Sequence, residues 1–390
     1  MKNKKNKFTK SMFLASATFI VATFMISNNA NALDLKALGS SNKGNITQKS
    51  ARITANSMDI DVNNNVAKII GNVYIDHPEM TISCQKMIIN LEDKKEPQNT
   101  KKIKDKKKKN TAGVSGFNFA GNKKQVSTVV CIGDVIITRK IFDEAEKAKG
   151  AQTAKSGKAV LDVQNSIITF TEDNPILSRG EDSVKGDIIT IFINDNRLKV
   201  DGKSIISIDV NEGRKDYLEE NPKVPKKNSI ITSDSSDINL NKNIAHFMGK
   251  VKIDDAMADL NCQKMDIYLS EDKELAATDR SSIKYFQIDG KDKTIDQIVC
   301  VGDVVLKRHL YSEGDIAGGE QKATAEKAVF TNEDSNIILT GTPDKNPIIS
   351  RGGTLTTGSK ITINVKSQKI KYLDFSGEVP TKDMQNFNSK

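Results

Sequence analysis

Apolar and polar residues alternate with a period of two along much of the chain. From Ala67 to Ile75 every second residue is apolar or glycine, and the same holds from Ala245 to Ile253, where mostly charged and polar residues occupy the intervening positions. This period is typical of β-strands that bury one face and expose the other. The pattern therefore predicts an all-β, antiparallel protein.

A second pattern, apolar-x-small-x-x-apolar-x-apolar, changes the buried parity in the middle of a segment. A bulge or corner absorbs the extra residue, so that the strand bends and continues in a facing sheet. Strands centred on a glycine, at Gly71, Gly133 and Gly341, alternate with these segments. Together they predict a stack of V-shaped rungs with an apolar inside and two open ends. The corner segments begin at Ile53, Ile82, Ala154, Val184, Ile231, Leu260, Ala323 and Thr356.

The second half of the chain repeats the first. Cys84-Gln85-Lys86-Met87 recurs as Cys262-Gln263-Lys264-Met265, within 42 residues that align without a gap at a constant offset. Further on, Ser178-Arg179-Gly180 recurs as Ser350-Arg351-Gly352. A long internal repeat of this kind indicates a duplicated structural unit.

The repeats define the expected domain organisation. We expect one domain at 50–210, a second at 230–380 and a linker at 211–229, a polar segment with two prolines. The strands at the two ends of each domain have unpaired backbone N–H and C=O groups, which can hydrogen-bond to another strand. We therefore expect the two domains to dock end to end through the strand Leu198–Ile206, at the carboxyl edge of the first.

The amino terminus carries the pattern of a signal peptide. Five lysines in Met1–Lys10 precede an apolar run, Met12–Ile26, and then the small-x-small tripeptide Ala30-Asn31-Ala32. We expect 1–32 to be removed on export, and the mature protein to be soluble in the periplasm. No cysteine stands at the cleavage point, so a lipoprotein is not expected.

Most of the net charge of +9 comes from one short segment of the chain. Segment 94–109 contains nine lysines and two acidic residues, within a Lys-rich loop at 92–112. Such a run is typical of a solvated loop, with contact to anionic lipid as the alternative. A nucleic-acid partner is not expected, because the charge is not spread along a face and the chain has no Trp.

Four cysteines form one matched pair in each repeat, Cys84 with Cys131 and Cys262 with Cys300. Their wide spacing excludes a CxxC redox motif and a compact zinc knuckle. An even count in an oxidising compartment favours a disulfide within each repeat. All four fall on buried parity, so buried free thiols are the alternative.

The sequence gives no support for an enzyme, a metal site or a cofactor. His77, His246 and His309 have no HExxH-like spacing, and an exposed strand or turn position accounts for each of them. There is no Gly-x-Ser-x-Gly and no phosphate-binding glycine loop. We therefore expect a protein without catalytic activity.

Several segments, in a fixed order in both repeats, carry a family resemblance: 55–61, 67–73 ending in Gly-Asn-Val, 82–89, 328–330, 339–343 and 358–363. These segments resemble the LptA/OstA-like lipopolysaccharide-transport bridge proteins. The resemblance implies an antiparallel β-jellyroll, or β-taco, whose groove holds the lipid A acyl chains of lipopolysaccharide. It also implies edge-to-edge stacking with LptC-like inner-membrane and LptD-like outer-membrane components, and head-to-tail self-association.

The buried parity supplies the candidate groove. A lipid tail crosses water only in a continuous apolar trough, since each buried methylene contributes about 0.8 kcal/mol. The alternatives are a closed core at these positions and, for the protein, a structural or adhesin-like β-repeat without lipid transport. The candidate lining residues are Ile69, Val73, Ile75, Ile82, Ile89, Val135 and Ile137 in the first repeat and Phe247, Val251, Ile253, Leu260, Ile267, Val304 and Leu306 in the second.

Overall fold

The structure is a computed structural model that describes residues 52–77, 80–93, 124–142, 148–209, 218–219, 223–256, 258–271, 286–288, 291–309, 320–364 and 369–378. The signal peptide expected at 1–32 and nearly all of the Lys-rich loop expected at 92–112 lie outside these residues. Within them, no helix is long and apolar enough to cross a membrane.

The described chain forms twenty-three β-strands, and the strand pairs are antiparallel. The first repeat contains β1 (Arg52–Thr54), β2 (Ser57–Asp61), β3 (Val66–His77), β4 (Met80–Asp93), β5 (Lys124–Phe142), β6 (Ala148–Asp162), β7 (Ile167–Thr171), β8 (Ile176–Arg179), β9 (Asp182–Lys185), β10 (Ile188–Phe192) and β11 (Arg197–Ile208). The second contains β12 (Ser229–Asn239), β13 (Ile244–Asp254), β14 (Ala258–Glu271), β15 (Phe286–Ile288), β16 (Lys291–His309), β17 (Glu320–Thr331), β18 (Asn336–Thr340), β19 (Ile348–Arg351), β20 (Thr354–Thr357), β21 (Lys360–Asn364), β22 (Lys369–Leu373) and β23 (Ser376–Glu378).

The long strands bend at a corner near their middle, as the parity changes predict. The register between β3 and β4 shifts between Ile70 and Val73, and that between β4 and β5 shifts between Ser83 and Lys86. Each bent strand therefore contributes one half to a first arm and the other half to a second arm. The all-β fold of V-shaped rungs is thus confirmed.

Every second bent strand turns at a Gly-Xaa pair in the left-handed region. Gly71 has φ +82° and Asn72 has φ +47°, and a Cβ on Gly71 would lie 2.5 Å from the side chain of Asn56. Glycine adopts this backbone conformation without the steric cost that a Cβ imposes. The equivalent pairs are Gly133-Asp134, Gly202-Lys203, Gly249-Lys250 and Gly302-Asp303.

Gly341 was expected to centre a strand of this kind, and that expectation is wrong. β18 ends at Thr340, and Gly341 leads into a tight turn in which Thr342 and Lys345 exchange backbone hydrogen bonds of 3.0 and 3.2 Å. A Cβ on Gly341 would lie 1.9 Å from the Lys345 carbonyl oxygen. The glycine is required here because the turn folds back onto its backbone.

The described chain divides into two compact units. The first comprises residues 52–180 and 187–196, and the second comprises 181–186 and 197–378. In the first, β3, β4, β5 and β6 pair in sequence, β6 splits between β7 in the first arm and β8 in the second, and β7 pairs with β10. The boundary between the units therefore precedes the boundary between the sequence repeats.

The second unit joins strands of both repeats. β11, the last strand of the first repeat, pairs with β12, the first of the second, from Arg197 opposite Asn239 to Ile208 opposite Ser229. This confirms the pairing expected for the strand Leu198–Ile206. Pairing continues through β13, β14, β16 and β17, which splits between β18 in the first arm and β19 in the second.

The described part of the expected linker packs against the second unit. Leu218 and Val224 are buried together with Ala256, at the turn between β13 and β14. Lys227 Nζ lies 2.6 Å from Asp254 Oδ1, and this hydrogen bond lowers the pKa of Asp254. The segment before β12 is therefore a docked connection rather than a purely solvated one.

Candidate functional site

A row of inward-facing apolar residues crosses the first arm of the first unit. Each member stands directly opposite the next on the neighbouring strand, so adjacent side chains pack at about 4.5–5.5 Å between Cβ atoms. The row begins at an exposed residue, Met58 on β2, and its later members are buried. It consists of Met58, Ile69, Met87, Cys131, Ala159, Phe170 and Ile189.

A second row crosses the other arm of the same unit. It consists of Ile53, Ile75, Ile82, Ile137, Ala154 and Leu177. Both rows lie on the buried side of their strands, so the inside of the unit is apolar from β1 and β2 to β8 and β10.

The second unit has the same two rows, extended across more strands. The first-arm row is Ser236, Phe247, Met265, Cys300, Ala328, Leu339, Ile361 and Tyr372. The second-arm row is Val184, Ile206, Ile231, Ile253, Leu260, Leu306, Ala323, Ile349 and Thr356.

A side-chain contact joins the two arms near the carboxyl end of the second unit. The hydroxyls of Thr356 on β20, in the second arm, and Tyr372 on β22, in the first arm, are 2.8 Å apart. The Tyr372 ring packs edge-on against Phe375 with centroids 5.2 Å apart. The two apolar rows therefore line the inner faces of arms that meet each other.

The fourteen residues predicted from the sequence to line a groove all lie on these inner faces. Ile82, Ile137, Leu260 and Leu306 are half-buried, and the other ten are buried. The candidate lining left out several equally buried members of the rows, which lie on strands of only four or five residues. These are Phe170, Leu177, Ile189, Leu339, Ile349 and Ile361. The corner pattern places Ile189 and Ile361 on the buried side, whereas the other strands show little periodicity.

The four cysteines are buried free thiols in the structure, so the two expected disulfide bonds are not present in it. Each expected pair is in contact, but diagonally across a corner, because Cys131 stands directly opposite Met87 rather than Cys84. The hydrogen bond between the thiols lowers the pKa of Cys84 and raises the pKa of Cys131. The contact with Cys262 likewise raises the pKa of Cys300.

The histidines are less exposed than expected. His77 is buried at the end of β3, where the inward parity of that strand continues to its last residue. His246 Nδ1 lies 2.7 Å from Asp266 Oδ1, and His309 Nε2 lies 3.5 Å from Asp259 Oδ2. Within the described residues, no group of three or more His, Cys, Asp or Glu side chains is placed to hold a metal ion.

A comparison of the sequence with known protein families shows which family the chain belongs to. The family described as LptA/(LptD N-terminal domain) LPS transport protein matches residues 52–197 and 230–369. The chain belongs to this family. The two matched segments fall within the two sequence repeats, so the LptA-type domain occurs in tandem.

No curated protein sequence matches the chain. Among solved structures, the crystal structure of LptH, the LptA homologous periplasmic component of the lipopolysaccharide transport device from Pseudomonas aeruginosa, matches at 11% identity with a TM-score of 0.29, covering 41% of this chain and 98% of that chain.

Membership of the LptA family gives the chain a component role in lipopolysaccharide transport. Its members are transport proteins, which confirms the expectation that the chain is not an enzyme. The β-jellyroll expected from the resemblance is the fold observed.

Proposed function

We propose that this protein is a periplasmic bridge that carries lipopolysaccharide from the inner to the outer membrane, with the lipid A acyl chains held between its two arms. The observation that carries the proposal is the succession of inward residues on neighbouring strands of both arms, which is apolar except at Ser236, Thr356 and Tyr372 in the second unit. Burial of apolar area is non-directional, so a mostly apolar row offers a sliding chain similar contacts at successive strands.

Acyl chains can enter between the arms because they are as apolar as the side chains they displace. The inward side chains of both units are mostly buried, so acyl chains entering between the arms replace apolar contacts with apolar contacts. Each buried methylene contributes about 0.8 kcal/mol, so a single acyl chain of a dozen carbons provides enough free energy to offset a partial opening.

The edges of the described chain suit strand addition by partners. Met58 and Ile60 on β2 are 46% and 40% exposed, although they stand opposite buried Ile69 and Ala67. We propose that β1 and β2 receive an LptC-like component of the inner membrane. The edge at β22 and β23, with exposed Leu373 and Phe375, would then meet an LptD-like component of the outer membrane or a second copy of this chain.

We also propose that 1–32 is a signal peptide, that the tandem domains are 50–210 and 230–380, and that each thiol pair closes to a disulfide after export. Closure removes two protons and two electrons from each pair, which pass to the disulfide of a periplasmic thiol oxidant by exchange. The lowered pKa of Cys84 favours it as the attacking thiolate in its pair.

Lipid binding by delipidated protein tests the proposal. The protein should bind lipopolysaccharide and a fluorescent acyl probe saturably and in competition. Val135→Thr adds one hydroxyl to the inside and should weaken probe binding about fivefold, because a polar group in the trough costs roughly 1 kcal/mol.

The neighbouring Ile136→Thr is the matched control, since Ile136 is on the outer face and 38% exposed. It should leave the affinity unchanged. A wild-type protein that binds neither lipopolysaccharide nor the probe would support the structural or adhesin-like alternative instead.

A further inference from the structure

An arginine, a glutamine and a second arginine stand side by side on three neighbouring strands of the first unit. Arg139 on β5 is directly opposite Gln152 on β6, which is directly opposite Arg179 on β8. Neighbouring strands are about 4.8 Å apart, so the two arginine backbones are separated by roughly 10 Å. We call these three residues the first arginine row.

The same arrangement recurs in the second unit. Arg308 on β16 is opposite Gln321 on β17, which is opposite Arg351 on β19, and these residues form the second arginine row. The residues beside the glutamine have changed between the repeats, since Ala151 and Thr153 beside Gln152 correspond to Glu320 and Lys322 beside Gln321. The three positions have therefore kept their residue types while their neighbours on β6 and β17 have not.

Both rows lie on the inward parity of the second arm, at its free end. Arg139 follows inward Val135 and Ile137 at two-residue intervals, and Arg179 follows inward Leu177. In the second row, Arg308 follows Val304 and Leu306 in the same way. The guanidinium groups therefore form the lip of the trough directly beside its apolar floor.

The free end of the first arm is different. Its inward positions at the corresponding depth are the apolar pair Leu91 and Val126 in the first unit and Leu269 and Ile295 in the second. Among the described residues, the inward positions at this depth are therefore apolar on the first arm and carry arginine and glutamine on the second.

We infer that each arginine row binds a phosphate group of the lipid whose acyl chains occupy the trough, an inference that rests on the proposed function and names the headgroup chemistry. Guanidinium is planar and presents paired N–H donors that match phosphate oxygens bidentately. The glutamine amide separates two like charges and adds a donor of its own. A phosphate between the two arginines of a row could accept hydrogen bonds from both guanidinium groups at once.

The chemistry recognised is a phosphate monoester, which a lipid headgroup or free phosphate could supply. Diphosphorylated lipid A, the same lipid after enzymatic removal of its phosphates, and inorganic phosphate separate these sources. Wild-type protein should bind the phosphorylated lipid about tenfold more tightly for each row engaged, the factor that one charge-assisted pair contributes. Inorganic phosphate should weaken binding of the phosphorylated lipid only.

The variant that tests the rows replaces Arg139, Arg179, Arg308 and Arg351 with glutamine. It should bind both lipids with the affinity that wild-type protein has for the dephosphorylated one. Replacing the same four residues with lysine keeps the charge and should restore part of the preference, since lysine lacks the bidentate geometry. Far-ultraviolet circular dichroism and thermal melting establish that each variant is folded.

The matched control changes the net charge equally on the outer face. Lys68, Lys155, Lys250 and Lys252 are exposed, and their replacement by glutamine should leave the preference for phosphorylated lipid intact. Equal binding of the two lipids by wild-type protein, or a preference that persists in the glutamine variant, overturns the inference. Binding of inorganic phosphate without any preference between the lipids reduces the rows to a free-anion site and also overturns it. Failure of wild-type protein to bind either lipid would instead overturn the proposed function and this inference with it.

Discussion

Replacing Ile206 with aspartate should lower the free energy of unfolding of the second unit by about 3–5 kcal/mol, because it places an unpaired charge at a fully buried position. Ile206 is 0% exposed and stands between Val184 on β9 and Ile231 on β12. Urea denaturation gives the free energy, and hydrogen exchange of the β12 amides, Ser229–Asn239, reports whether the seam between the repeats has opened.

Ile205→Asp is the control for this substitution. Ile205 precedes Ile206 on the same strand but faces outward, is 38% exposed, and stands opposite Lys185. The new carboxylate is solvated there and beside a cation, so stability should change by less than about 0.5 kcal/mol. Equal effects of the two substitutions would show that β11 does not bury this face against its neighbours.

Reduction of the exported protein should lower its free energy of unfolding by about 3–4 kcal/mol for each disulfide broken. The proposed bonds close loops between residues 47 and 38 positions apart, and a cross-link of that length removes conformational entropy from the unfolded chain. The midpoint of urea denaturation with and without a reductant measures the effect.

Mass spectrometry of the non-reduced protein identifies the bonds. It should show peptides that join Cys84 to Cys131 and Cys262 to Cys300, the pairs already in contact. The Cys84→Ser and Cys262→Ser double variant should lose the reductant-dependent change in stability. Four alkylated thiols, or peptides that join the two repeats, would contradict the proposal.

Much of the architecture could be predicted from the sequence, because a strand with one buried face has a strict period of two. Cys84 and Met87 are both apolar but lie three residues apart, an odd number. Both can face inward only if a bulge absorbs one residue between them, so the change of parity locates a corner. Gly341 was misread because its role depends on the carbonyl of Lys345, which approaches only after the turn has formed.

The parts that escaped prediction depend on which residues become neighbours in space. Leu218 and Val224 lie in a polar segment, and they are buried together with Ala256 from the turn after β13. The two arginines of a row are 40 residues apart in sequence in the first row and 43 apart in the second, and strand register brings them together. Arg179 was visible in the sequence only as part of a repeated tripeptide.

Photo-cross-linking of lipopolysaccharide from neighbouring isoleucines tests the central claim most directly. Ile69 and Ile231 face inward and are buried, whereas Ile70 and Ile230 precede or follow them on the outer face and are 43% and 36% exposed. A diazirine analogue of an aliphatic side chain, placed singly at each position, changes only the face that is probed. An acyl chain held between the arms predicts cross-links to lipopolysaccharide from positions 69 and 231 and none above background from 70 and 230. Equal yields from both members of each pair, or cross-links from the outer positions alone, would contradict a trough that carries lipid inside the fold.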